Sequence, residues 1–97
     1  MPRILTLGEY ILYFWSNESH EPVHVHIGRK RAGKNDTKLW ILWDGETVVA
    51  HNNGQIPTKH LKRIRYAIKE NCDVIFDAWE EHFKGINFYE KLEVVKK

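Results

Sequence analysis

Apolar residues change their period halfway along this chain. In Val23-His24-Val25-His26-Ile27 they recur at every second position, the repeat of a strand with one buried face. Leu61, Ile64, Ile68, Cys72, Ile75, Trp79 and Phe83 step by three or four, the repeat of a helix. A chain that passes from the first period to the second specifies sheet first and helix second, an α+β domain. Its 97 residues suit one core, a single domain over 1–97 with a mainly β part at 1–52, a helical part at 57–84 and an extension at 86–97.

Within the β part, Arg3–Leu7 and Tyr10–Trp15 are short β-branched and aromatic runs parted by Gly8-Glu9, the pattern of a hairpin. Ser16 to Pro22 is polar and closed by proline, so it reads as a loop before a strand at Val23–Gly28. Lys38–Trp43 and Glu46–His51 flank Asp44-Gly45, which predicts a second hairpin with a type I′ turn. The expected architecture is an antiparallel meander of about five strands with the helical region packed on one face. Ile56-Pro57-Thr58 resembles a helix entrance. The apolar stripe crosses Asn71-Cys72-Asp73 in phase, so one long helix and a second helix capped by Asp73 both fit. Gly85 is the expected stop, followed by a terminal strand or a tail packing Phe88, Tyr89 and Leu92.

No apolar run approaches the ~20 residues of a membrane span, and the N-terminus pairs Arg3 with no apolar export segment, so a cytoplasmic protein is expected. The lone Cys72 excludes an internal disulfide and a cysteine-built zinc site, and its place on the helical stripe makes it a core residue. The four tryptophans are expected mostly in the core. Trp40 and Leu42 nevertheless share a strand face opposite Leu39, Ile41 and Trp43, which makes that strand either central or an interface for a second copy or a small partner protein.

His24 and His26, two apart on one strand face, bring their Cβ atoms within roughly 7 Å. Such a pair can share a divalent transition metal such as zinc, with His20, Glu18 or His51 as the further ligand. Without metal the two imidazoles can act as base and acid on a phosphodiester, helped by Arg29, Arg31 or Lys38. They also suit the polar face of a half-exposed sheet, hydrogen-bonded to the preceding loop.

The net charge of +2 says little about nucleic acid, but its distribution says more. Arg29, Lys30, Arg31, Lys34 and Lys38 crowd one loop. Lys59, Lys62, Arg63, Arg65 and Lys69 fill the first helical segment at 57–69, and acids dominate from Glu70 to Glu81. If loop and helix are neighbours, these cations form a patch for an RNA or DNA backbone; otherwise they are solvated faces paired at helical spacing.

The string Glu21-Pro22-Val23-His24-Val25-His26, with Ser16-Asn17-Glu18 before it and Lys38-Leu39-Trp40, Gly54-Gln55-Ile56-Pro57 and Trp79-Glu80-Glu81-His82-Phe83 after it, resembles a family of small, mostly bacterial domains of unknown function. The signature of that family is Glu-Pro-Pro-His-Val-His. Val23 replaces the second proline and leaves both histidines in place. The resemblance covers Met1 to Phe83 and implies one member of a toxin–antitoxin-like pair, with a partner protein from a neighbouring gene.

Overall fold

The computed structural model describes residues 3–18 and 20–90. Strands β1 (Arg3–Leu7), β2 (Tyr10–Tyr13), β3 (His24–Arg29), β4 (Thr37–Ile41) and β5 (Thr47–His51) form one antiparallel sheet in sequential order, followed by α1 (Thr58–Glu70) and α2 (Cys72–Phe83). The α+β architecture of a five-strand meander and a C-terminal helical layer is therefore the one the change of period specifies. No helix among the described residues is long and apolar enough to cross a membrane.

Register assigns the two faces of the sheet. Leu12 lies opposite Ile27, and Val25 opposite Leu39. With Ile41 they meet Ile64 and Ile68 of α1 and Ile75 and Trp79 of α2 in the core. Each such side chain stabilises the fold by about 1.5–3 kcal/mol through its removal from water. The other face of β3 carries His24, His26 and Gly28, with Tyr13 and Lys38 flanking His26 and Trp40 beside His24. A Cβ on Gly28 would run into the Arg31 carbonyl and the Asp36 carboxylate, because the β3–β4 loop folds back over this face.

Of the two arrangements the sequence allows, the helical region takes two helices, and the caps differ from the sequence reading. At Asn71 (φ −123°, ψ 20°) the backbone leaves the helix, and Asn71 rather than Asp73 is the N-cap of α2. Lys84, not Gly85, takes the left-handed position after α2 (φ 61°), its N–H donating to the Glu80 carbonyl at 2.7 Å.

The β4–β5 turn is wider than a type I′ turn. Leu42 N–H donates to the Glu46 carbonyl at 2.8 Å and Asp44 Oδ1 accepts from Glu46 N–H at 3.0 Å. Gly45 has positive φ (87°) and Asp44 does not, whereas a type I′ turn needs both. The turn is shaped by packing on the helices, since a Cβ on Gly45 would meet Cys72 Sγ at 3.1 Å. Of the four tryptophans Trp79 is fully buried, whereas Trp43 in this turn is 76% exposed and Trp15 is 37% exposed.

After α2 the chain forms neither helix nor strand as far as residue 90. Val23 N–H donates to the Asn87 carbonyl at 2.9 Å, Phe88 packs edge-on to Phe76, and Tyr89 lies parallel to Trp40 at 5.1 Å. The expected contact of Leu92 lies outside the described residues.

Candidate functional site

Strand alternation directs His24 and His26 to the face away from the core of Val25 and Ile27, and the polar loop before β3 brings Glu18 over them. That loop is held by its own backbone: Trp15 N–H donates to Glu18 Oε1 at 2.8 Å and Glu21 N–H to the Glu18 carbonyl at 3.2 Å. The imidazole rings stand edge to face with centroids 5.0 Å apart. His26 Nε2 lies 3.1 Å and 3.0 Å from the two Glu18 oxygens.

His24 has no solvent-exposed surface. Its ring is enclosed by Trp40 and Trp79, with centroids at 5.4 Å and 5.2 Å. Nδ1–H donates to the Pro22 carbonyl at 2.8 Å. A carbonyl only accepts, so Nδ1 carries the proton and a neutral ring presents a lone pair at Nε2. That Nε2 is 3.0 Å from Glu18 Oε2 but off the geometry of a hydrogen bond, and it has no other partner among the described residues.

Three donor atoms, one each from Glu18, His24 and His26, thus lie within 4.8 Å of one another. Metal–nitrogen and metal–oxygen bonds of about 2.0–2.2 Å place neighbouring ligand atoms roughly 3.0–3.5 Å apart. The 3.0 Å separations from Glu18 to each imidazole match that range. Two imidazoles and one carboxylate are ligands for zinc or another first-row divalent ion, and three protein ligands leave a position for water or substrate. Burial opposes ionisation of Glu18, but the two imidazoles beside it and the Trp15 N–H outweigh it and hold the carboxyl well below the usual carboxylate range. His26 and Glu18 each keep 12% of their side-chain surface exposed, which is the way in.

A second layer fixes His26. Tyr13 stacks on its ring at 5.5 Å and donates its hydroxyl to Asp36 Oδ2 at 2.5 Å, and Asp36 also accepts from Gly33 N–H at 2.7 Å. Burial, then the hydrogen bond to Asp36 and its negative charge, push the Tyr13 phenol above its ordinary range, so it stays a neutral donor.

Of the other ligand candidates, His20 is exposed and His51 sits on β5, where its Nδ1 faces Asn53 N–H at 3.4 Å; neither joins the cluster. An acid–base pair needs both imidazoles at the substrate, and only His26 has exposed surface. The cations divide. Lys38 pairs with Glu21, Arg65 donates to Thr47 Oγ1 and the Thr47 carbonyl, and Lys69 pairs with Glu46. Arg29, Lys30, Arg31, Lys34, Lys59, Lys62 and Arg63 are exposed and make no ion pair among the described residues. Arg29 Nη2 donates to the Gln55 carbonyl at 3.4 Å, bringing the loop beside the start of α1. Trp40 is covered by Tyr89 and Lys38, and Leu42 is half-buried in the turn.

Sequence reasoning missed Tyr13, Asp36 and Trp79 as walls and supports of the site. Asp36 had a signal, being the lone acid among the cations of its loop. Tyr13 is hidden in an unbroken apolar run, and the approach of Trp79 depends on how α2 crosses the sheet.

A family model described as Domain of unknown function (DUF4160) matches residues 9–80, a span that includes Glu18, His24, His26 and both helices as far as Glu80. No curated protein and no solved structure matches the chain.

Proposed function

We propose that this chain, which belongs to the DUF4160 family, is a small metal-binding domain in which Glu18, His24 and His26 hold one divalent transition-metal ion. The observation that carries this reading is the buried, unpartnered Nε2 of His24, aimed at a carboxylate it does not hydrogen-bond. A buried polar atom without a partner costs about 1–3 kcal/mol, and a cation shared with Glu18 and His26 removes that cost. The hydrogen bond to Pro22 orients His24 as outer partners of metal-bound histidines do. The ligand types suit zinc, which when bound lowers the pKa of a coordinated water.

The test is metal content after purification from metal-supplemented medium, with cobalt(II) titration as a spectroscopic probe. One equivalent bound by the native chain and lost in Glu18→Gln and His26→Gln supports the reading. A folded native chain that takes up neither zinc nor cobalt overturns it.

A second reading is a nucleic-acid-binding member of a toxin–antitoxin-like pair, encoded beside a small partner protein. What favours it is the group of cations at the β3–β4 loop and α1 that make no ion pair among the described residues, linked by the bond from Arg29 to Gln55. Binding to mixed RNA and DNA that weakens steeply with salt supports it, and no detectable binding at low salt overturns it. Co-expression with the neighbouring gene tests the partner: a co-purifying complex supports the pairing, and its absence counts against it.

A further inference from the structure

Away from the histidine cluster, the β1–β2 turn and α1 enclose a cleft of about 370 Å3, a volume within the usual range for small-ligand sites. Leu7, Tyr10 and Ile64 supply its apolar surface, and His60 and Arg63 stand over it from the same face of α1, three residues apart. Tyr10 Oη is 2.7 Å from His60 Nδ1, and the rings meet edge to face at 5.6 Å. With the tyrosine hydroxyl donating, the imidazole proton sits on Nε2, free to donate to an incoming acceptor. At the turn, Gly8 has φ 57° and open space where a Cβ would stand, which leaves the mouth unobstructed.

The rim is cationic. Lys30 N–H donates to the Glu9 carbonyl at 2.6 Å, tying the β3–β4 loop to the cleft, and the Arg29 guanidinium lies 5.7 Å from the centre of the Tyr10 ring. Lys59 and Lys62 flank His60 and Arg63 on α1, whose first turn has no acidic residue. Glu9 is the acid in the lining.

We propose that this cleft takes one unstacked base of a single-stranded nucleic acid, with His60 and Arg63 against the base or its phosphate and the surrounding cations tracking the backbone. An apolar floor and a guanidinium or imidazole wall suit a base face, and the rim suits a polyanion. A duplex keeps its bases stacked and reaches the rim alone. This inference rests on the nucleic-acid reading and is independent of the metal.

The experiment compares fluorescent oligouridylate, oligothymidylate and a duplex for binding to the native chain, to His60→Gln with Arg63→Gln, and to Lys34→Gln, each checked for native circular dichroism. The expected result is a single-strand preference in the native chain that the cleft variant abolishes, with about a tenfold loss for single strands. That is the factor expected when charge-assisted contacts are removed. Lys34→Gln is expected to weaken single and double strands alike and to lower the salt slope by about one phosphate. The uridylate and thymidylate arms distinguish RNA from DNA. If the cleft variant weakens all three ligands equally, or leaves single-strand binding intact, the cleft assignment falls while the cationic patch stands. If no oligonucleotide binds at low salt, both fall.

Discussion

Glu18 Oε2 and His24 Nε2 face each other across 3.0 Å inside the protein without a hydrogen bond between them. In the same carboxylate, Oε1 and Oε2 both accept from His26 Nε2 when no metal is present. One carboxylate therefore serves two imidazoles, and the buried imidazole receives the poorer contact. A cation at the meeting point satisfies all three donors at once.

The two histidines are predicted to differ in their cost when removed. His24→Ala empties a site enclosed by Trp40 and Trp79, and the resulting cavity is expected to cost about 2–4 kcal/mol of stability. His26→Ala, at a side chain with 12% exposure, is expected to cost about 1 kcal/mol. Urea unfolding of the metal-free proteins measures both. Equal losses would mean that His24 is not the packed residue of the pair.

Gly28 continues the alternation of His24 and His26, yet no side chain fits there. A Cβ would lie 2.6 Å from Asp36 Oδ2 and against the Arg31 carbonyl. Gly28→Ala is expected to lift the β3–β4 loop off the sheet, with a loss of about 1–3 kcal/mol. Faster amide exchange at Gly33, whose N–H bonds Asp36, reports the displacement. Unchanged exchange and stability would mean that this loop does not rest on β3.

How much of this was readable in advance follows from the range of the interactions involved. The meander, the buried face of Val25 and Ile27, and the pairing of His24 with His26 are consequences of period two and short turns, which neighbouring residues encode. Glu18 belonged to a short set of candidate ligands, but its selection over His20 and His51 depends on how the Trp15 and Glu21 amides fold the loop. The Tyr10–His60 pair joins residues 50 apart, and no local pattern carries that contact. The break at Asn71 was one of two arrangements the sequence allowed, and the apolar stripe does not choose between them because it keeps its phase across the break.

Tyr13 and Asp36 predict a pH dependence at the alkaline side. Burial and the Asp36 carboxylate raise the Tyr13 phenol above its ordinary value of 10.0. A group whose folded pKa is raised contributes stability that is complete below its unfolded pKa and is lost as pH rises toward the folded one. Stability is therefore expected to fall above about pH 10, and Tyr13→Phe is expected to remove this group's part of that fall. Parallel pH profiles for the two proteins would show that Tyr13 does not contribute.

Trp43 is the most exposed of the large apolar side chains among the described residues, 76% exposed in a turn whose backbone is already bonded through Leu42, Gly45 and Glu46. Among the described residues the indole makes no ring contact and leaves most of its surface in solvent. Trp43→Ser is accordingly expected to change unfolding stability by no more than about 0.5 kcal/mol. If the neighbouring gene product docks on this turn, the same variant should weaken that complex by about tenfold or more, because buried tryptophans dominate binding energy at interfaces. Titration calorimetry with the co-expressed partner separates the two effects. A complex of unchanged affinity would move the partner to another surface, and a destabilised monomer would make Trp43 a structural residue.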